Sequence, residues 1–453
     1  MRPSGLLLLV AISMSMAAPA STRPHYGGTL RLAMREAPAS LDPADSSQPG
    51  NFAFRNLSRL IFDTLVTLDA RGQAQPGLSS AWQVDPGNQR WQFTIRRGVT
   101  FHDGVAVSSD AVAASLRAAN PNWKVFATGE GVIVECDAPT PNLPAVLALP
   151  RYGIAKRSGG KLTGSGPFAI NRWDPGKKLT LTARDDYWGG RAYVDSIEID
   201  MGKSFREQII ALDLGKADLV EVAPDQARHA ALEGRRIESS APAEWMALVF
   251  SRDSQSADEG KLREALALSL DRESMNNVLL QGGGEPAGTL LPNWMTGYAF
   301  LFPTMVDLQR ARQAREAVHQ VPVWSLGYDA SDPLARVIAE RVALNARDTG
   351  LTLQTTNSTL ADLRLVRMPL PSLDARVALS QLAASLGLPQ PKFDGDPASS
   401  LFAAESSLLQ SQRVIPLLHL RTAAALSGNV KGWQEDPDGS WRLQNVWLET
   451  GKP

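Results

Sequence analysis

A strand, helix and strand late in the chain restrict the fold more than any other feature. Residues 321–326 read as a strand. Asp332 followed by Pro333 predicts a helix start. An aspartate side chain accepts hydrogen bonds from the free amides of the first turn, and a proline at the first helical position costs no hydrogen bond, because its amide would have no partner in the helix. Apolar residues then recur every four positions up to Gly350, and a glycine can end a helix by adopting the left-handed backbone conformation. Residues 351–355 read as the next strand. This spacing predicts two parallel strands joined by a right-handed crossover.

Helix and strand patterns also alternate in the first half of the chain. Residues 27–33 read as a turn and a strand, 56–66 as an amphipathic helix, and 91–95 as a strand that alternates large apolar with polar residues. A helix is expected to begin near Ser109, and residues 167–200 are rich in strand patterns. The whole chain is therefore expected to have an α/β fold.

Length and charge exclude some classes of protein. The 453 residues suggest two or three lobes, each large enough for its own core. Lysine and arginine total 46, aspartate and glutamate total 47, and the formal net charge is -1. A nucleic-acid-binding chain normally carries a basic excess clustered in sequence, so no nucleic-acid partner is expected.

The amino terminus has the order of residues expected of an export signal. Arg2 gives a positive start, residues 6–16 are apolar but too short to span a bilayer, and residues 18–20 (Ala-Pro-Ala) provide small residues for cleavage after Ala20. An uncleaved anchor or a buried helix remains the alternative. The only cysteine, Cys136, lies far from this signal, so we expect a periplasmic protein that is not a lipoprotein.

Patterns that would indicate catalysis are absent from the sequence. The five histidines are scattered singly, without a metal-binding spacing. The glycine-rich stretch 159–166 leads into a strand rather than a helix, so it does not match a phosphate-binding loop, and Ser165 lacks the nucleophile motif of serine hydrolases. We expect no enzyme activity, no catalytic residues, no cofactor and no bound metal.

Several distinctive motifs occur in order along the chain. They are WQFTIRRGVTFHDG at 91–104 with Asp110, GSGPF at 164–168, RDDYWGG at 184–190, LREALALSLDRESM at 262–275, and Gly284 to Ala287 with Pro292. Together they resemble the motifs of the family 5 extracellular solute-binding proteins, which include the oligopeptide-, dipeptide- and nickel-binding components of ABC importers.

This resemblance implies a two-lobed periplasmic binding protein fold of the α/β class, with an extra inserted subdomain and a ligand cleft at the hinge between the lobes. The implied mechanism is closure of the lobes around a ligand. The expected divisions are a signal peptide at 1–20, lobe I at 21–57 with 161–255 and 416–453, an inserted subdomain at 58–160, and lobe II at 256–415.

Transfer by position from the family also implies ligand-binding residues. Ser46 and Ser47 lie in a loop expected to border the cleft, as does the strand that contains Trp245 and Met246. Trp245 is the first candidate for an apolar wall, and Trp294 is the second. A plain core position is an equally open interpretation for each tryptophan.

The chain departs from its peptide-binding relatives in the second lobe. Those relatives carry an aspartate there that pairs with the amino terminus of the peptide, whereas residues 363–371 of this chain contain no acid. Arg367 in this stretch would favour a carboxylate or a phosphate. A position outside the lobe is an equally open interpretation for this arginine.

The function that these features predict is the substrate-binding component of an ABC importer. It would capture a peptide or another small solute and deliver it to a permease in the inner membrane, and we expect it to be a monomer. One alternative is a degenerate receptor or scaffold of the cell envelope without transport. An envelope hydrolase ranks last, because no catalytic set is visible.

Overall fold

The structure is a computed structural model that describes residues 23–45 and 52–449. The predicted signal peptide at 1–20 and the two candidate ligand-binding serines, Ser46 and Ser47, lie outside the described residues.

The amino-terminal part of lobe I provides one strand and one helix, β1 (Thr29–Ala33) and α1 (Phe52–Ile61). The sequence predicts helix as far as residue 66, and this is wrong after Ile61. The backbone there bonds to other segments instead: the carbonyl of Asp63 accepts from Ile154, and that of Leu65 accepts from Gly77 and Ser79. Tertiary pairing therefore overrides the apolar pattern at this helix end.

The inserted subdomain has a four-stranded antiparallel sheet in the order β4-β5-β7-β6, covered by a helix. Trp91 and Phe93 of its second strand face the core, as the alternating pattern predicts. Ser108 caps the covering helix by accepting from the amide of Ala111. The elements of this region are β2 (Val66–Leu68), β3 (Ala74–Pro76), β4 (Ser79–Val84), β5 (Arg90–Ile95), α2 (Ser109–Ala119), β6 (Lys124–Ala127), β7 (Gly131–Glu135), α3 (Leu143–Val146), β8 (Lys156–Ser158) and β9 (Lys161–Thr163).

The chain then returns to lobe I and completes its sheet. β1 forms parallel ladders with a strand on each side, so this part of the sheet is buried and rich in leucine, isoleucine and valine. The elements are β10 (Phe168–Asp174), β11 (Lys178–Ala183), β12 (Ser196–Asp200), α4 (Phe205–Asp213), β13 (Leu219–Val222), α5 (Ala227–Leu232) and β14 (Arg236–Phe250).

Lobe II contains the strand, helix and strand predicted from the sequence. Asp332 caps the helix by accepting from the amide of Leu334, and Gly350 has a φ of 77° after its end. The flanking strands are parallel, so the prediction is confirmed. The elements are α6 (Ala257–Ser269), α7 (Arg272–Ser274), β15 (Gly284–Pro286), α8 (Asn293–Thr296), α9 (Leu308–Glu316), β16 (Val323–Gly327), α10 (Pro333–Arg347), β17 (Thr352–Thr356), β18 (Leu363–Pro369), α11 (Ala375–Ser385) and α12 (Pro397–Gln410).

Two long antiparallel strands connect the lobes. They are β14 and β19 (Val414–Leu426), followed by the short strands β20 (Val430–Lys431) and β21 (Trp447–Leu448). One end of β19 pairs with β13 of lobe I, and the far end of β14 pairs with β18 of lobe II. The β14–β19 ladder changes register on both sides of Pro242, between the two lobes.

The resulting sheet is continuous through the molecule. Its strand order is β10-β11-β12-β1-β13-β19-β14-β18-β16-β17, with β15 attached to β19. The predicted fold class, a two-lobed α/β binding protein fold, is confirmed. The predicted residue boundaries of the lobes and the subdomain stay a prediction, and we keep their names for these ranges.

The inserted subdomain also contacts lobe II. Gly72 lies in the turn between β2 and β3 with a φ of 75°, and a Cβ added there would lie 2.4 Å from the carbonyl oxygen of Leu373. Val377 of α11 is buried in the core of the subdomain. Lobe II thus meets the rest of the protein both at the crossing strands and at this turn.

Candidate functional site

A cavity of about 580 Å³ lies between the two lobes, beside the crossing strands. We call it the first chamber. It lies where the parallel strands β1 and β13 of lobe I and β16 of lobe II reach their carboxyl ends, the usual position for ligands in parallel sheets. Its polar and charged lining residues are Arg35, Glu36, Lys203, Ser204, Glu221, Glu244, Asp329, Ser331, Asp332, Arg367 and Thr422.

Acidic groups are in excess in the first chamber. Five acidic side chains face three basic ones, a formal excess of two negative charges. The acids come from four separate parts of the chain: the end of β1, the end of β13, the crossing strand β14, and the loop before α10. When all five acids are ionised, an additional carboxylate placed here would meet net repulsion, so the first chamber then favours neutral or cationic groups.

Two of these acids, Glu221 and Glu36, have no hydrogen bond from a basic side chain among the described residues. Glu221 accepts from the backbone amide of Arg35 at 2.5 Å and from Gln208 at 3.3 Å, while Glu36 accepts from the amide of Ala53 at 3.0 Å. Burial raises the pKa of Glu221 to about 7, and the neighbouring Glu36 adds to this shift. Burial also raises the pKa of Glu36.

Arg367 lines the first chamber, but its guanidinium is already paired. Nε and Nη2 donate to Glu244 at 2.8 and 2.5 Å, and Nη1 donates to Asp332 at 3.1 Å. Burial lowers the pKa of Arg367, but attraction from the two carboxylates outweighs it, so the pKa is raised overall. Of the two interpretations left open by the sequence, a cleft position and an outer position, the structure has the cleft position.

Arg35 makes a contact between the lobes at the same chamber. Its backbone is held by Glu221 of lobe I, and its Nη2 donates to the backbone carbonyl of Ser331 in lobe II at 3.3 Å. Its guanidinium also lies over the ring of Phe205, 5.6 Å from the centroid. The side chain therefore bridges the two walls of the first chamber.

A second chamber of about 260 Å³ shares Trp441 with the first, since this residue lines both cavities. Its walls come from α1, the inserted subdomain, lobe II and the carboxyl-terminal segment. The charged residues that line it are Arg55, Arg59, Asp63, Asp436, Asp438 and Arg442. Three bases thus face three acids, and the second chamber lacks the acidic excess of the first.

The structure places the other sequence-predicted site residues in the core of lobe II. Trp245 is fully buried against helices α11 and α12, and Met246 is fully buried on the opposite face of β14. Trp294 packs against the same cluster as Trp245, and its Nε1 donates to the carbonyl of Pro242 at 2.9 Å. None of the three lines either chamber. Their role in ligand binding stays a prediction, as does that of the two serines.

Two of the motifs that carry the family resemblance, GSGPF and RDDYWGG, meet at one half-buried carboxylate outside the first chamber. Asp63 accepts hydrogen bonds from Ser165 at 2.9 Å, Tyr187 at 2.8 Å and Trp188 at 3.0 Å. Nearby, Arg184 bonds to Thr100 of the first motif. The motifs therefore join the inserted subdomain to lobe I, and they explain the fold rather than the ligand.

The histidines that could serve as bases are held in structural positions. The Nε2 of His102 lies 3.1 Å from the carbonyl oxygen of Gly166, and burial lowers the pKa of His102 to about 4. His419 is buried, which lowers its pKa to about 4 as well. Within residues 23–45 and 52–449, no group of three or more histidine, cysteine, aspartate or glutamate side chains is arranged to hold a metal ion.

The geometry of a two-lobed cleft agrees with the comparison of the sequence with known families. Residues 73–366 match the family described as bacterial extracellular solute-binding proteins, family 5. The chain belongs to this family. The family 5 proteins are exported, and no helix in the described part of this chain has the length and hydrophobicity needed to cross a bilayer.

Individual family 5 proteins show the same relationship. An oligopeptide-binding protein of Bacillus subtilis, OppA, is 24% identical over 318 residues, which cover 60% of this chain and 57% of that protein. The chain spans between 30 and 57% of the length of the curated relatives that it matches first. These relatives include two proteins of Bacillus subtilis that are named as oligopeptide-binding proteins.

Solved structures of the family have the same fold over nearly the whole chain. The periplasmic binding protein DppA of Helicobacter pylori, in complex with the peptide STSA, superposes with a TM-score of 0.80 and 17% identity, covering 94% of this chain and 99% of that one. NikA of Brucella suis, in complex with Fe(III)-EDTA, also gives 0.80 at 18% identity, covering 93 and 100%.

Proposed function

We propose that this chain is the substrate-binding component of an ABC importer, which captures a small solute between its lobes and delivers it to a membrane permease. The observation that supports the proposal most strongly is the first chamber. It is a cavity of about 580 Å³ whose polar walls come from both lobes. A solute bound there would contact both walls at once and would favour the closed arrangement.

The chamber also narrows the chemistry of the solute. Because Arg367 is neutralised by Glu244 and Asp332, it does not offer a free guanidinium to a carboxylate. The excess of acids favours a solute that places a cationic or neutral polar group in the first chamber. A peptide fits this description through its amino terminus, and so do other small amines.

The test is a screen of peptides, amines, sugars and metal chelates. A solute that binds only the folded protein raises the melting temperature, and closure shortens the distance between spin labels on the lobes. The labels are attached at L232C and L360C, two exposed positions in lobe I and lobe II, with the native thiol removed as C136S. We expect at least one solute to produce both changes.

A matched pair of variants links the effect to the cleft. Ser331→Trp places a large ring at the wall of the first chamber, whereas Ser80→Trp places the same ring on an exposed strand of the inserted subdomain. We expect the first variant, but not the second, to abolish both responses. No solute response in the unsubstituted protein, or equal responses in the two variants, would contradict the proposal.

A further inference from the structure

The second chamber contains a buried guanidinium that is only partly satisfied. Arg55 lies on α1 and is 6% exposed, and its Nη1 donates to the carbonyl of Asp438 at 3.0 Å and lies 3.3 Å from the carboxylate of the same residue. Its Nη2 is buried and has no hydrogen-bond partner among the described residues. An unmet N–H of a charged group is costly in the interior, so an acceptor that enters this chamber gains a strong hydrogen bond.

Two further arginines stand at the chamber with donors to spare. Arg59 donates through Nη1 to Asp436 at 2.8 Å, and Arg442 donates through Nε to the same carboxylate at 2.8 Å. Their side chains are 37 and 39% exposed, so the remaining N–H groups can be reached by a ligand. The acids of the chamber are all engaged: Asp63 by three donors, and Asp436 and Asp438 by the arginines.

The charge balance indicates which kind of anion fits. Three arginines and three aspartates leave the second chamber formally neutral, so a single negative charge can be accommodated by the unused donors. A doubly charged phosphate would need a basic excess that the chamber lacks. The first chamber, with its acidic excess, is unfavourable for either anion.

We propose that the second chamber binds a singly charged carboxylate of the transported solute, and that Arg55 is the residue that recognises it. The inference rests on the proposed function, because it divides one solute between the two chambers that share Trp441 as a wall. Trp441 borders both, so a solute that passes this ring places a cationic or polar end in the first chamber and its carboxylate in the second. A solute bound in this way contacts lobe I, lobe II and the inserted subdomain at once, so closure involves all three.

The test compares two probes that differ only in charge at one end. N-acetylglycine carries a carboxylate, whereas N-acetylglycinamide has a neutral amide of similar shape. Both are titrated at constant ionic strength, with tryptophan fluorescence and melting temperature as readouts. We expect the acid to bind at least about tenfold more tightly than the amide, the ratio typical of a charge-assisted hydrogen bond.

The variant that tests Arg55 removes both members of the buried ion pair. Arg55→Met alone leaves Asp438 buried without its partner and endangers folding, so Arg55→Met with Asp438→Asn is used. We expect it to fold and to lose the preference for the acid. The control, Arg310→Met, removes an exposed arginine on α9 and should keep the preference.

The outcomes separate this inference from the proposed function. Equal binding of the two probes, no binding of either, or a preference that survives in the double variant would overturn the carboxylate site. If another solute still closes the lobes in these cases, the proposed function stands without it. If no solute of the wider screen closes the lobes, the proposed function falls, and this inference falls with it.

Discussion

Glu221 is the residue of the first chamber whose charge responds most directly to pH. It is buried, and it is held by a backbone amide and by Gln208 rather than by a cation. Its pKa is raised from 4.5 to about 7. The protonated carboxyl is therefore favoured in the folded state, and its stabilising contribution is full below pH 4.5 and is lost as the pH rises through 7.

This shift predicts a pH-dependent difference between the protein and its Glu221→Gln variant. The neutral amide does not ionise, so the variant should gain stability relative to the unsubstituted protein on going from pH 5 to pH 8, by up to about 3 kcal/mol. Urea unfolding at the two pH values measures this difference. Glu316→Gln, at an exposed position on α9, should show no such gain. If the free energies of unfolding of Glu221→Gln and of the unsubstituted protein change equally between the two pH values, the raised pKa of Glu221 is contradicted.

Arg367 shows what sequence can and cannot predict at the scale of one residue. The absence of an acid in residues 363–371 drew attention to it, and the structure has it in the first chamber. Its pairing with Glu244 and Asp332 could not be predicted, because the three residues are far apart in sequence. The sequence argument for a carboxylate at this arginine therefore loses its basis. Arg55 carried no sequence signal, since it precedes the helix predicted at 56–66.

At the scale of elements, the sequence predicted helices and strands most reliably where the helix cap, the spacing of apolar residues and the terminating glycine agreed. The segment from β16 to β17 was predicted correctly because Asp332, Pro333 and Gly350 each act within a few residues. β14 was harder, since a strand buried on both faces does not reveal which side chains face a ligand. Transfer by position from the family implied Trp245, whereas its neighbour Glu244 lines the first chamber.

Asp63 connects elements that the sequence shows only as separate motifs. We expect Asp63→Ala to lower the free energy of unfolding by about 3–6 kcal/mol, because three donors, one on the buried Ser165 and two on half-buried aromatic residues, lose their acceptor. Asp63→Asn should lose less, since burial already raises the pKa of Asp63 and penalises its charge. Urea unfolding measures both.

A single-donor variant provides the control for Asp63. Ser165→Ala removes one of the three hydrogen bonds and leaves the carboxylate with two donors, so a loss of about 1 kcal/mol is expected. A loss for Asp63→Ala as small as that for Ser165→Ala would show that the two motifs do not depend on this carboxylate.

At the scale of the whole molecule, the contact between Gly72 and lobe II predicts control of closure. In Gly72→Ala, the added methyl group would lie 2.4 Å from the carbonyl oxygen of Leu373, so the inserted subdomain and lobe II must move apart. We expect longer distances between the labels at L232C and L360C and weaker binding of any solute that closes the lobes.

The matched control is Gly87→Ala. This glycine also has a positive φ, 101°, but nothing lies within 4 Å of the added atom. Both variants carry the backbone strain of a left-handed alanine, about 1–2 kcal/mol, and only Gly72→Ala should change the distance between the lobes. Equal distance distributions for the two variants would exclude this contact as a determinant of closure.

The two-lobed architecture was predicted by family resemblance, not by periodicity. Local patterns identify the strands of each lobe, but they do not reveal that β14 and β19 join both lobes in a continuous sheet. The acids of the first chamber were missed for the same reason, since Glu36, Glu221 and Glu244 meet only after the strands are ordered.

The change of register around Pro242 has a mechanical consequence. Rotation of one lobe against the other must appear as torsion of the two-stranded ribbon, and the regular parts of a ladder resist torsion. Beside Pro242, side-chain groups replace ladder bonds: Ser240 accepts from the amide of Thr422, and Trp294 donates to the carbonyl of Pro242. Such bonds can lengthen or exchange partners one at a time, so the ribbon resists torsion less beside Pro242 than along its regular ladder, and a solute bound in the first chamber acts next to this weaker segment.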